Sequence, residues 1–210
     1  MGLYSRFILP RLIDLVMRAP AETAERRQMI PRASGSVLEV GFGSGLNLPF
    51  YRHDVSEIYA VDPSAELWRL GRRRVRQLKC PVRFLQASAE QIPLGDDRFD
   101  TVTMTWTLCS IPDPLPALAE VRRVLRPDGR LIFIEHGRSP DPTVRAWQAR
   151  LTPWWRRIAG GCHLDREVDA LLASAGFHVA DLATGYAAGP KPFSYLFKGV
   201  ARPGSRAPKR

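Results

Sequence analysis

The fold is decided by Ser36-Val37-Leu38-Glu39-Val40-Gly41-Phe42-Gly43-Ser44-Gly45, a short apolar run that ends in three alternating glycines. An apolar run of this length, stopped by glycine, reads as a buried strand feeding a tight loop. Glycine lets the chain turn sharply and lets a ligand approach the backbone. In an open α/β sheet, ligands bind beyond the carboxyl ends of the strands, where this loop would lie. The spacing then selects among ligands. A dinucleotide site uses G-x-G-x-x-G and sets a pyrophosphate on a helix N-terminus. Here an acid, Glu39, precedes Gly41, Gly43 and Gly45, and the two-residue gap is missing. That disfavours an NAD-linked oxidoreductase. It favours a nucleoside-type cofactor that carries positive charge and no phosphate, with Glu39 as its electrostatic partner.

Working outward, a helix can begin after the glycines. Residues 57–61 read as a second strand, stopped by Asp62-Pro63. Asp62 falls about twenty residues past the loop, where a carboxylate can accept hydrogen bonds from ribose hydroxyls. Taken alone, Asp-Pro is equally a turn. Ser64 is a helix N-cap, with the helix running to residue 79. Strands are expected over 82–87 and 99–106, with Ser88-Ala89-Glu90 as a polar loop able to meet an adenine. A helix over 114–125 carries Leu115, Leu118, Val121 and Leu125 at helical spacing. The turn Arg126-Pro127-Asp128-Gly129 leads into a fifth strand over 130–135. A helix over 165–175 is closed by Gly176, and late strands cover 177–184 and 195–200. Alternating strands and helices predict a parallel α/β sheet covered on both faces.

The chain has 210 residues, 45% of them hydrophobic and 25% charged, which suits one domain with one substantial core. The expected division is a lid or membrane-surface segment over 1–30, a cofactor-binding domain over 31–201 and a disordered basic tail over 202–210. The apolar N-terminus is broken by Pro10, Arg11 and Asp14 and lacks a small-residue cleavage site, so neither a signal peptide nor a span is expected. Three cysteines, Cys80, Cys109 and Cys162, make no disulfide framework and favour a cytoplasmic location. The formal charge of +10 is dispersed, with Arg72, Arg73, Arg74 and Arg76 on one helix and Arg202, Arg206, Lys209 and Arg210 in the tail. Such runs read as solvated faces, and no nucleic-acid partner is expected.

These residues resemble the class I S-adenosylmethionine (SAM)-dependent methyltransferases. Residues 39–45 look like their first motif, Asp62 like their ribose acid, and Ala89-Glu90 like their adenine-contacting motif. Residues 125–131 look like the turn before their fifth strand. The resemblance implies a Rossmann-like sheet of seven strands with the last antiparallel, SAM as cofactor, and S-adenosylhomocysteine as product. It implies cofactor contacts from Glu39, Gly41, Gly43, Gly45, Asn47, Asp62, Pro63, Ala89, Glu90 and Thr107. A closer similarity is to methyltransferase-like alkyl-thiol S-methyltransferases. It rests on Thr107-Leu108-Cys109-Ser110-Ile111, Glu120 to Leu125, Glu135-His136, Trp147-Gln148, Gly161-Cys162-His163-Leu164-Asp165-Arg166 and Gly189-Pro190. More distantly, the chain is similar to quinone C-methyltransferases and phospholipid N-methyltransferases. Phe42, His163 and Asp128 depart from the usual residues at their positions.

For the acceptor, the resemblance implies a small apolar molecule, a thiol or sulfide first. Methyl transfer from a sulfonium needs alignment and desolvation above all. His136, at a strand end, and His163 are the candidate proton-exchanging groups. Cys109 and Cys162 read as buried small hydrophobes. A metal held by His136, Cys162 and His163 lacks a fourth ligand, so none is expected. Trp106, Trp147, Trp154, Trp155 and Phe193 are candidates for an apolar acceptor pocket or for core. Peripheral membrane contact through residues 4–17 is the alternative to a lid.

Overall fold

The computed structural model describes residues 3–204, apart from the side chains of residues 5 and 6. The strands are β1 (Gly35–Val40), β2 (Val55–Val61), β3 (Val82–Leu85), β4 (Phe99–Thr105), β5 (Leu125–His136), β6 (Phe177–Tyr186) and β7 (Tyr195–Pro203). They form one seven-stranded sheet in the order β3-β2-β1-β4-β5-β7-β6. β1 to β5 pair in parallel, and β7 runs antiparallel to both β5 and β6. This is the expected architecture, with the last strand reversed. The order turns back between β1 and β4, so a crevice opens at their carboxyl ends.

Alternation along the strands assigns the two faces. Leu38, Val40, Leu131 and Phe133 enter one core with Leu118 and Val121 of α4 (Pro114–Val124) and Leu172 of α6 (Val168–Ser174). Val37, Ile58, Ile132 and Ile134 enter the other with Met29 of α2 (Pro20–Met29) and Trp68 of α3 (Ala65–Val75). Both faces are therefore buried, as a parallel sheet requires. Ser64 caps α3, its hydroxyl accepting the Leu67 N–H at 3.2 Å.

Four sequence expectations change. No α-helix follows the glycine loop: only a single 3-10 turn, Leu48–Phe50, forms there. Pro49 supplies no N–H, and the Asn47 side chain is drawn inward. Residues 126–129 lie inside β5 as an irregularity, because Phe99 pairs with Leu125 and Thr101 with Arg130. α6 begins three residues later than expected, since Asp165 and Arg166 are used by the preceding loop. β7 runs through Arg202 to Pro203, paired with His178 and Phe177, so the tail boundary at 202 falls too early. Arg206, Lys209 and Arg210 lie outside the described residues.

The N-terminus is a π-helical turn, Tyr4–Ile8, running into α1 (Leu9–Val16). It docks through polar anchors. The Asp14 carboxylate is buried and pairs with Arg18 and with Arg74 of α3, the latter at 3.4 Å. The Tyr4 hydroxyl donates to the Ile158 carbonyl oxygen at 2.7 Å. Leu3, Phe7, Ile8, Leu12 and Leu15 stay exposed. Among the described residues, no helix is long and apolar enough to cross a membrane.

Candidate cofactor and acceptor site

The glycine loop leaves β1 at the sheet's turning point. Gly41 (φ +74°) donates its N–H to the Val61 carbonyl oxygen at 2.8 Å. A Cβ at Gly41 would lie 2.0 Å from the Thr107 hydroxyl oxygen, so this glycine is required by the protein's own packing. Gly45 is held likewise beneath Phe42, whose ring a Cβ would meet at 2.8 Å. Gly43 differs. Its Cβ would meet only the Gly41 carbonyl oxygen, at 3.9 Å, so its α-carbon faces open space. That is the cradle a ligand would fill.

Asp62, buried at the end of β2, stands across this cradle. Its Oδ2 accepts the Gly43 N–H at 2.7 Å and its Oδ1 accepts the Ser64 N–H at 2.8 Å. Burial raises its carboxyl from its ordinary value against the pull of those two bonds. A carboxylate offers about four acceptor sites, so two remain for a diol. Pro63 follows, exposed, its carbonyl oxygen accepting the Gln86 amide. Ala89 is buried, and Glu90 accepts the Asp113 N–H at 3.0 Å, which ties that loop to the start of α4.

Glu39 is fully buried behind the loop. Its carboxylate accepts from the Asn47 amide at 2.9 Å and the Tyr51 hydroxyl at 3.0 Å. Burial pushes its carboxyl up to about 8, although Tyr51, Asn47 and the Arg26 charge oppose the rise. Arg26 is a partner that sequence reasoning missed, because it sits in the ordinary charge run Glu25-Arg26-Arg27. It is buried, donates to Asn47 Oδ1 at 3.1 Å and to the Met17 carbonyl oxygen at 2.7 Å, and stacks on Trp106 at 4.6 Å. Trp106 itself holds φ +50°, a strained conformation for a bulky residue at the carboxyl end of β4. The N-terminal segment is thus bonded directly into the site.

On the far side of β4, Glu135 accepts the N–H groups of Thr107, Leu108 and Cys109 at 2.9, 2.9 and 3.2 Å. This fixes the loop that carries Thr107 against Gly41. Beyond it, Cys109, His136 and Cys162 converge: the sulfurs are 3.5 Å apart, and Cys162 Sγ lies 3.8 Å from His136 Nδ1. His163 does not join them. Its N–H donates to the Cys109 carbonyl oxygen at 2.8 Å, while its ring lies 3.9 Å from Asp165. Trp155 and Phe193 meet at a tilt, their ring centroids 4.7 Å apart, and pack on this cluster. Trp147 and Trp154 do not reach it. They project from the solvent face of α5 (Pro142–Ile158), over which Arg150 and Arg157 lie, while Gln148 and Thr152 turn inward.

A methyltransferase-domain family profile matches residues 38–133, the segment from β1 to β5 that builds this site. A thiol S-methyltransferase of Rattus norvegicus, TMT1B, is 35% identical over 166 residues, 77% of this chain and 66% of that protein. A phosphatidylethanolamine N-methyltransferase of Cereibacter sphaeroides is 30% identical over 81% of this chain and 84% of its own length. The chain belongs to the SAM-dependent methyltransferases. A solved SAM-dependent methyltransferase from Aquifex aeolicus shares the fold, with a TM-score of 0.62 at 22% identity over 91% of this chain and 97% of its own. The chain spans slightly under two thirds of the thiol methyltransferases it matches, 66% of the rat protein and 62% of the human TMT1B.

The methyltransferase's residues fit SAM as cofactor. Gly43 leaves the cradle open, Asp62 keeps free acceptor sites beside it, and Glu39 stands behind the loop as a potential negative charge. One consequence separates the glycines. Gly41→Ala should destabilise this methyltransferase by roughly 3 kcal/mol, because the methyl collides with Thr107. That corresponds to a Tm lower by about 6–12 °C in a thermal melt. A melt unchanged within 2 °C, on the order of the error expected for a neutral change, would show that Thr107 moves aside freely.

Proposed function

We propose that this protein transfers the methyl group of SAM to a small apolar thiol. The similarity to thiol S-methyltransferases carries the acceptor class, and the sulfur-rich apolar cluster beside Thr107 supports it. Bound SAM supplies a methyl group activated by its sulfonium. Asp62 accepts the ribose hydroxyls, and Gly43 admits the cofactor to the backbone. Ionised Glu39 sets a negative charge behind the loop for the cofactor's cationic end. Ala89, at the end of its polar loop, forms part of the adenine wall. The acceptor lies on the other side of Thr107, against Trp155 and Phe193. A thiol becomes a thiolate near neutral pH with modest help, so the chain's main tasks are alignment and exclusion of water. His136 faces the acceptor, and His163 stays on the loop that frames it.

The segment over residues 3–29 acts as a lid in this reading, since Arg26 ties it to Asn47 and Trp106. Its outer surface is also apolar: Leu3, Phe7 and Ile8 lie exposed, as do Trp154 and Ile158 on α5, which Tyr4 bridges. Such a face suits peripheral contact with a membrane that stores the apolar acceptor, on the cytoplasmic side.

The test is a screen with methyl-labelled SAM across alkyl thiols, phenols, quinols and phosphatidylethanolamine, with and without vesicles, read by product mass. Thioether formation is the expected result, faster for longer alkyl chains. Label found only in lipid amine or quinol would reassign the acceptor. Folded protein that binds neither SAM nor S-adenosylhomocysteine in calorimetry would overturn the reading.

A further inference from the structure

Cys109, His136 and Cys162 are the one set of three or more potential ligand residues that converges among the described residues, with their ligand atoms all within 4.8 Å of one another. They come from three distant parts of the chain. Cys109 lies in the loop after β4, His136 at the end of β5, and Cys162 beyond α5. Each is held by its own scaffold: Glu135 fixes the backbone at Cys109, β7 pairs with His136 through Leu196, and the Cys162 N–H bonds to Ala159. Both sulfurs are buried, and the imidazole is half-buried.

We propose that these three side chains bind one zinc-class divalent ion, whose fourth position takes the sulfur of the acceptor. The geometry suits it. Zn–S bonds of about 2.3 Å at a tetrahedral angle set sulfurs about 3.8 Å apart, and a sulfur and a nitrogen slightly closer. The observed separations are 3.5 Å between sulfurs and 3.8 Å from Cys162 Sγ to His136 Nδ1. Two thiolates and one imidazole are soft-to-borderline donors, which select zinc over magnesium or calcium. Three protein ligands with an open fourth position is the pattern of a reactive site rather than a structural one.

The charges of one divalent ion and two thiolates cancel, leaving a neutral centre that can take a third thiolate. Arg166 stands close by, its guanidinium donating to the carbonyl oxygens of Leu108 and Ile111.

The second half of this inference rests on the proposed thiol acceptor. On binding, the acceptor sulfur displaces a water and gives its proton to solvent. Its lone pair then forms the new S–CH3 bond as the methyl leaves the sulfonium, giving a thioether and S-adenosylhomocysteine. The ion keeps the sulfur a thiolate at a pH where the free thiol is protonated. His136 then serves as a ligand and not as a free base.

The test uses the whole protein, purified reduced and loaded with zinc or cobalt(II), and three readouts. Metal analysis should give about one ion per chain, falling at least fivefold in Cys162→Ser and in His136→Gln. Cobalt-loaded protein should show thiolate-to-cobalt charge transfer and the visible bands of a four-coordinate ion. Those bands should shift when an alkyl thiol is added. Both variants should bind S-adenosylhomocysteine within about threefold of the parent, because Asp62 and Gly43 are untouched. Reduced, folded protein that retains no ion while both thiols titrate freely would overturn the site. So would isolation as a Cys109–Cys162 disulfide that takes up no metal after reduction. Bound cobalt whose spectrum ignores thiols would overturn the acceptor role. Intact spectra with no thioether product would instead count against the thiol reading alone.

Discussion

Asp62→Ala is expected to weaken binding of SAM and S-adenosylhomocysteine by about 100- to 1000-fold in calorimetry. The size follows from what the carboxylate does. It holds the glycine loop through the Gly43 N–H and holds the start of α3 through Ser64, from a buried position at the end of β2. Its two remaining acceptor sites face the cradle. A hydrogen bond to a charged group contributes about 1.5–3 kcal/mol, and each 1.4 kcal/mol is about tenfold in affinity. Losing two such bonds to a ribose, partly offset by water entering the space, gives the stated range. Asp62→Asn keeps one acceptor oxygen and should fall between the two. Gly43→Ala separates binding from folding. Its methyl would enter open space at φ +57°, at a conformational cost of about 1–2 kcal/mol, yet it would occupy the volume the cofactor needs. Affinity in Asp62→Ala within about threefold of the parent would remove Asp62 from the cofactor site.

The part of the fold that was legible lay where local pattern and function coincide. Residues 36–45 combine a buried strand with glycines, and their spacing disfavours a dinucleotide loop. Asp62 was legible because a strand end fixes where its side chain stands. The helix expected after the glycines failed for a local reason: Asn47 turns in to bond Glu39, and Pro49 withholds an N–H. α5 was passed over although Asp141 caps it and Val144, Gln148, Leu151, Thr152 and Trp155 recur on its inner side. Pro153 interrupts that pattern with a residue that has no N–H to give, and beside it the Thr152 hydroxyl donates to the Gln148 carbonyl oxygen one turn back. The proposed acceptor side was least legible. Cys109, His136 and Cys162 share no spacing, and only the sheet order brings the ends of β4 and β5 to the loop after α5. His163, which adjoins Cys162 in sequence, was the natural partner to name. The backbone turns its ring toward Asp165 instead. Arg26 left no signal at all, because nothing local distinguishes a buried arginine from its solvated neighbours.

Glu39→Gln should flatten the pH dependence of both stability and cofactor binding, in opposite senses. Burial raises the Glu39 carboxyl from 4.5 to about 8, with Tyr51, Asn47 and Arg26 resisting the rise. Between those two values the unfolded chain has lost the proton and the folded protein keeps it. The folded state therefore binds more protons, and stability falls as pH rises from about 4.5 to about 8, then levels. Over that window the loss amounts to a few kcal/mol on the order of one 1.4 kcal/mol step per unit. The glutamine side chain can still accept from Asn47 without ever ionising, so urea melts of the variant should change little with pH. Binding runs the other way. A cationic cofactor favours the ionised carboxylate, so its arrival must expel the proton. Parent affinity for SAM should rise about tenfold between pH 5.5 and 6.5, more than a unit below the roughly 7.7–8.0 at which an α-amino group itself titrates. Calorimetry in two buffers of different ionisation enthalpy should report close to one proton released per SAM bound near pH 7. The variant should bind more weakly and release none. Parallel pH profiles for parent and variant would mean that Glu39 is a neutral structural member of the Asn47–Tyr51 network, and that the cofactor's positive charge is met elsewhere in the site.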